Sequence, residues 1–145
     1  MTFPYWIPFE NEWWTFVSFL FLILGLVSIS DFIQTQDWIS PDANRKWVHF
    51  LVGIFVCISP LIFSTNLWPI TLSIIFIFLN GYALRKEFFK GIHSQDRYSY
   101  GTVYFPIAYF LLVLFFWNYP ELIILSFLVL AISDPLASQV GQSKL

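Results

Sequence analysis

The residues best suited to chemistry begin at Ser40-Pro41-Asp42-Ala43-Asn44-Arg45-Lys46-Trp47-Val48-His49. Ser40 is a plausible helix N-cap, Pro41 fits the first helical position, and Asp42 suits the positive end of the helix dipole. A helix starting there puts Arg45 and Lys46 in its second turn and His49 one turn later. With spacings of four and three residues, all three share one face. Arginine offers a planar fork of donors and lysine a point charge, and both bind phosphate. A histidine beside them can donate to an anion or move a proton. The simpler reading gives the two cations only the task of orienting the chain in a membrane, with His49 packed against a neighbouring helix.

Asp134 is the second focus. It lies about twelve residues into an apolar run that starts near Leu122, or roughly 18 Å along a helix axis. In a hydrocarbon layer about 30 Å thick, this falls in the inner half, where a carboxylate is costly and marks a functional site. Pro135 disfavours helical geometry at Asp134, so a break is expected there, freeing backbone groups toward a wet cavity. A magnesium ligand and a proton acceptor both fit Asp134. Alternatively, the helix ends early and Asp134 is interfacial.

Three further groups extend the set. Asn80 and Glu87 are seven apart, hence on one helical face, with Arg85 between them. Glu87 can bind a metal or orient Arg45 or Arg85, or all three can form a solvated helix end. Tyr100, Gly101 and Thr102 can place backbone and hydroxyl donors around a phosphate, or form a plain turn. His93 sits in a charged loop and reads as solvated. One cysteine and two distant histidines make no zinc spacing. Neither a Walker-type loop nor Gly-x-Gly-x-x-Gly is present. The cations flank apolar runs rather than forming a patch with stacking aromatics, so nucleic acid is not an expected partner.

The elements that must position these residues are apolar. Of 145 residues, 58% are hydrophobic and only 11% charged, where a soluble domain has about a quarter charged. Mean hydropathy is +0.71, which places the chain in the membrane class. The single Cys57 permits no internal disulfide. The N-terminal residues Met1 to Trp6, followed by Glu10 and Glu12, lack the basic region of a signal peptide. We expect one domain, an all-α polytopic membrane bundle of about five spans: 13–30, 47–63, 67–84, 103–117 and 122–140. Asp31 to Asn44 is expected to be a polar connection, and Pro60 to kink or end the second span. Five spans place all seven lysines and arginines on one side: Arg45, Lys46, Arg85, Lys86, Lys90, Arg97 and Lys144. The opposite connections contain none. The positive-inside rule makes the charged side cytoplasmic, giving N-out and C-in.

Arg45-Lys46-x-x-His49, Tyr100-Gly101-Thr102 with Tyr104-Phe105-Pro106, and Ser133-Asp134-Pro135-Leu136-Ala137-Ser138 with Val140-Gly141 resemble one membrane family. It is the family of phytol, dolichol and related polyprenol or diacylglycerol kinases, which overlaps with phosphatidate cytidylyltransferase-like proteins. The resemblance covers roughly residues 40–141. It implies transfer of a phosphoryl group from a nucleoside triphosphate, commonly CTP and otherwise ATP, to a membrane lipid alcohol, with magnesium. It implies that Arg45, Lys46 and His49 face the phosphates and that Tyr100, Gly101 and Thr102 shape the pocket. Asn80 and Arg85 join the nucleotide side, and Asp134 and Glu87 are the metal candidates. Asp134 either holds magnesium or activates the alcohol. Relatives usually continue into a Gly-Arg-Gly-Lys-like loop and another span, so the resemblance implies a C-terminally truncated member. A cytidylyltransferase and a non-catalytic transport or scaffold subunit are the rival readings.

Overall fold

Asn11 starts the first helix by accepting a hydrogen bond on its side chain from the Trp13 amide at 2.9 Å, which satisfies one of the donors a helix start leaves open. A computed structural model describes residues 11–86 and 101–142. Among them are five helices and no strand: α1 (Glu12–Thr35), α2 (Pro41–Ile62), α3 (Leu67–Lys86), α4 (Gly101–Phe116) and α5 (Pro120–Gln142). The expected start of α2 is present. Ser40 caps it, accepting from the Ala43 amide, and Pro41 is the first helical residue.

Two expectations about local structure are corrected. Asp31 to Asn44 is not one long connection, because α1 continues through Asp31 to Thr35 and α2 starts at Pro41. The apolar Phe32 and Ile33 extend the helical pattern past Asp31. Asn44, already inside α2 and buried, donates to the Ser30 carbonyl at 2.9 Å. Asp37, with φ of 55°, turns the short link that remains; a short polar side chain tolerates that left-handed geometry best among non-glycine residues. Nor does the chain break at Asp134-Pro135, since α5 runs on to Gln142. Proline removes one backbone donor from a helix without ending it when neighbouring helices surround the site. Pro60 behaves as expected, with α2 ending at Ile62, two residues beyond it.

The helices alternate in direction. α2 packs mainly on α5 and α1, and α3 on α4. One apolar core joins Phe16, Phe19 and Ile23 of α1 to Ile62, Phe63 and Leu72. A second joins Val56 and Cys57 of α2 to Tyr109, Val113, Ile123 and Phe127. The α2–α5 contact is close because Gly53 faces Ala131. A Cβ added at Gly53 would lie 2.7 Å from the Ala131 Cβ. Small residues at a helix crossing let the backbones approach in this way. One turn away, the Cys57 thiol donates to the Ile124 carbonyl at 3.6 Å.

The outside of the bundle is as apolar as the inside. Phe21, Phe78 and Phe115 are 68%, 74% and 70% exposed. Leu51, Ile54 and Ile58 of α2 and Leu125, Leu128 and Val129 of α5 also point outward. Helices that are hydrophobic all round belong in a large core or a membrane. α1 over its whole length and α2 over Ala43–Ile62 are long and apolar enough to cross a membrane. The apolar stretches Leu67–Ala83, Thr102–Phe116 and Pro120–Ser133 are shorter.

Candidate functional site

Three of the polar residues singled out in the sequence line a common cavity. His49 comes from α2, Asn80 from the last turns of α3, and Thr102 from the first turn of α4. The cavity encloses about 60 Å³ between α1, α2, α3 and α4. Its remaining wall is mostly hydrocarbon, including Val27, Val52, Phe76 and Phe105. These residues meet because α3 and α4 run antiparallel from the same end of the bundle. The Asn80 side-chain amide donates to the Thr102 carbonyl at 2.8 Å and locks the two helices together there. His49 is held on the other side by ring contact with Phe105, with centroids 5.6 Å apart.

Thr102 is 3% exposed, and its hydroxyl has no hydrogen-bond partner. An unpaired buried hydroxyl costs about 1–3 kcal/mol, a cost that Thr15 and Ser30 share; Thr102 is the one of the three that lines the cavity. Asn80 engages an amide donor on the Thr102 carbonyl, not on this hydroxyl.

The other polar residues of the wall are committed. The Ser73 hydroxyl donates to the Pro69 carbonyl at 2.7 Å. Ser59 donates to the Val56 carbonyl at 2.7 Å, so in its short contact with Tyr109 the tyrosine must be the donor. Tyr109 therefore closes the inner end of the cavity with its proton already engaged. This buried pair, its phenol packed edge-on against Phe127 at 5.1 Å, was not foreseen from the sequence. A serine and a tyrosine fifty residues apart carry no mutual signal.

Arg45 and Lys46 are half-buried at the same end of α2 but do not line the cavity. The expected grouping with His49 is thus divided, with His49 turned inward. Arg85 is exposed near the end of α3. Gly101 opens α4 and Thr102 follows it, so this pair forms a helix start rather than a free turn. Tyr100, Glu87 and His93 lie outside the described residues, as do Lys90 and Arg97. Of Asp134 the backbone alone is described, within α5. Gly53 meets Ala131 and Cys57 meets Ile124, so α2 and α5 are antiparallel. One turn further, that register brings the Asp134 backbone to the level of His49. Among the described residues, no three histidine, cysteine, aspartate or glutamate side chains gather as a metal site. The two metal candidates, Asp134 and Glu87, fall outside that set.

At the opposite end of the bundle, Glu12 forms a polar knot that sequence reading passed over. Its carboxylate accepts from the Ser64 amide and hydroxyl, each at 2.5 Å, and from the Trp68 indole at 2.9 Å. It ties α1 to the α2–α3 turn and so fixes the far end of the cavity's walls. Against known proteins, no family model, curated protein or solved structure matches this chain.

Proposed function

We propose that this chain is a membrane-embedded kinase that moves a phosphoryl group from CTP, or another nucleoside triphosphate such as ATP, to the hydroxyl of a lipid alcohol. The reading includes five spans, with the N-terminus outside and the C-terminus and active face cytoplasmic. The observation that carries it is the meeting of His49, Asn80 and Thr102 at one end of an apolar cavity, on the helix ends that also carry Arg45, Lys46 and Arg85. Exposed apolar side chains on every helix support lipid as the surroundings. Helices of 20 and 23 residues, α3 and α5, reach about 30 and 35 Å at 1.5 Å per residue, enough to cross. The 16 residues of α4 reach about 24 Å, a mismatch that local thinning of the bilayer absorbs.

In this reading the alcohol enters from the lipid and the nucleotide from water. Arg45 and Lys46 hold phosphate oxygens and neutralise the charge that builds up during transfer. His49, one turn along α2 and about 6 Å further in, faces the alcohol. The lipid oxygen forms a bond to the γ-phosphorus as the bond from that phosphorus to the β–γ bridging oxygen breaks. The nucleoside diphosphate leaves, and the alcohol's proton passes to His49 or Asp134. Where Asp134 is not the proton acceptor, it would hold magnesium, which would supply charge neutralisation on the phosphates. Most of the rate comes from holding the two substrates in line across the cavity mouth.

The test uses membranes containing the chain, a γ-labelled nucleoside triphosphate, and phytol, farnesol, geranylgeraniol, dolichol or diacylglycerol. The expected product is a labelled lipid phosphate, lost in Arg45→Ala and His49→Ala. Label in none of the lipids refutes the kinase. Cytidine label retained in lipid, with phosphatidate as acceptor, would replace it with a cytidylyltransferase. Unchanged biological function in an Arg45→Ala, Asp134→Ala double variant would favour the non-catalytic reading.

A further inference from the structure

Within the membrane part of that reading, and independently of the kinase, we propose that this chain fits a bilayer with a thin hydrocarbon layer, about 20–24 Å against the usual 30 Å or so, and that His49, Asn80 and Thr102 lie at the headgroup level of one leaflet. The partner is a lipid bilayer of short acyl chains, and two features of the outer surface point to it. The first is where the exposed aromatic residues stand. Every exposed tryptophan and tyrosine among the described residues lies near a helix end or in a link. Trp47, Tyr82 and Tyr104 mark one end of the bundle, and Trp13, Trp14 and Tyr119 the other. The large side chains exposed between these two groups are leucine, isoleucine, valine and phenylalanine. An indole or a phenol joins an apolar ring to one polar atom, so it favours the boundary between hydrocarbon and water over either phase. The two groups of rings therefore mark the two faces of the hydrocarbon layer.

The same rings fix the depth of the polar residues. Trp47 comes two residues before His49, Tyr82 two after Asn80, and Tyr104 two after Thr102. Two residues of α-helix make about 3 Å of rise and 200° of turn. Each exposed ring therefore lies on the far side of its helix from a cavity residue and within about 3 Å of its level. His49, Asn80 and Thr102 meet in one cavity, so three rings on three helices stand at a common height. The second feature is the length of the apolar stretches, which gives the thickness. Leu67–Ala83, Thr102–Phe116 and Pro120–Ser133 rise about 24, 21 and 20 Å. On α2, Trp47 to Ile62 rises about 22 Å. On α1, Trp14 to Asp31 rises about 26 Å, which a tilt of about 30°, inside the range of spanning helices, shortens to about 22 Å. A long helix can tilt but a short one cannot stretch, so the four short stretches set the thickness. A layer of about 30 Å would draw Arg45, Lys46 and Arg85, or Glu12 at the far end, into hydrocarbon, which is costly. In the thin layer the Asp134 backbone, level with His49, lies at the boundary rather than in the inner half.

Thickness and depth can be measured separately. The full chain is reconstituted in phosphatidylcholine vesicles whose two monounsaturated chains have fourteen, sixteen, eighteen, twenty or twenty-two carbons. Relative lipid binding is read from the quenching of tryptophan fluorescence by a dibrominated eighteen-carbon lipid in competition with each of them. Fourteen-carbon lipid is expected to bind about threefold better than twenty-two-carbon lipid, because each ångström of mismatch adds a small cost. Depth is read from nitroxide labels on Phe78→Cys, Tyr82→Cys, Arg85→Cys and Tyr104→Cys, made one at a time; Cys57 is buried and stays unlabelled. In fourteen-carbon vesicles, oxygen should dominate the relaxation of the label at position 78 and a water-soluble nickel chelate that at position 85. The two should balance at positions 82 and 104. Equal binding of all five lipids, or a preference for eighteen carbons or more, overturns the thin layer. Oxygen dominance at positions 82 and 104 overturns the headgroup depth. Extraction of the chain from every vesicle by alkaline carbonate overturns the proposal together with the membrane reading. Short-chain preference without any phosphoryl transfer supports the thin layer and overturns only the kinase.

Discussion

Gly53→Ala is the sharpest perturbation of the scaffold that holds the site. The added Cβ would sit 2.7 Å from the Ala131 Cβ and 3.6 Å from its Cα. Carbon atoms in good contact are about 3.5–4.0 Å apart, so the pair must separate by roughly 1 Å. Neither atom can rotate away, because a Cβ is fixed to its backbone. Helix α5 must therefore move off α2. Overpacking of this kind costs about 1–3 kcal/mol, offset in part by alanine's better helix propensity, about 1 kcal/mol over glycine. We expect a net loss of about 0–2 kcal/mol in reversible unfolding, followed by tryptophan fluorescence in detergent. The reciprocal Ala131→Gly removes the opposing Cβ, so the double variant should recover more than additivity allows, with a coupling of about 1 kcal/mol or more. The proposed function makes the consequence for activity larger than that for stability. α5 carries Asp134 one turn beyond Ala131, and a 1 Å misplacement of a reacting group can cost about a hundredfold in rate. On the proposed kinase reading, Gly53→Ala should thus fold and lose most of the phosphoryl transfer, and Gly53→Ala with Ala131→Gly should regain it. No coupling between positions 53 and 131 would refute the close-packing argument.

Three other outcomes follow from the hydrogen bonds. Ser59→Ala should cost more than Tyr109→Phe, by about 1–2 kcal/mol in the same unfolding assay. The first strands a buried phenol hydroxyl, while the second leaves Ser59 still bonded to the Val56 carbonyl. Thr102→Val removes an orphan hydroxyl and keeps the branched shape, so it should raise stability by about 1 kcal/mol or leave it unchanged. A loss above that would mean the hydroxyl already has a partner. Glu12→Ala takes the acceptor from Ser64 and Trp68 and should cost about 1 kcal/mol. Its signature is a shifted Trp68 emission, which Trp68→Phe removes; unchanged emission would refute the indole contact.

The sequence alone determined the helices, because their signals are local. Ser40-Pro41 starts α2, Pro60 stands near its end, and uncharged runs longer than a dozen residues have few alternatives to helix. It also led to the expectation that every lysine and arginine lies on one side; of these, Arg45 and Lys46 lie near the start of α2 and Arg85 and Lys86 at the end of α3. Local reasoning failed where a helix tolerates what it does not favour. α1 runs through Asp31, and α5 through Asp134-Pro135, because packing along the whole helix outweighs one unfavourable residue. The site was half legible. His49, Asn80 and Thr102 stood out as polar residues at helix ends, yet nothing in the chain said that they share a cavity while Arg45 and Lys46 stay outside it. That depends on how each helix is rotated about its axis. Rotation is set by contacts between residues far apart in the chain: Gly53 on Ala131, Tyr109 on Ser59 and Phe127, Asn80 on the Thr102 carbonyl. In a chain that is apolar inside and out, hydrophobic pattern cannot choose the inward face. Only those tertiary contacts turned Thr102 into the cavity and left its hydroxyl without a partner.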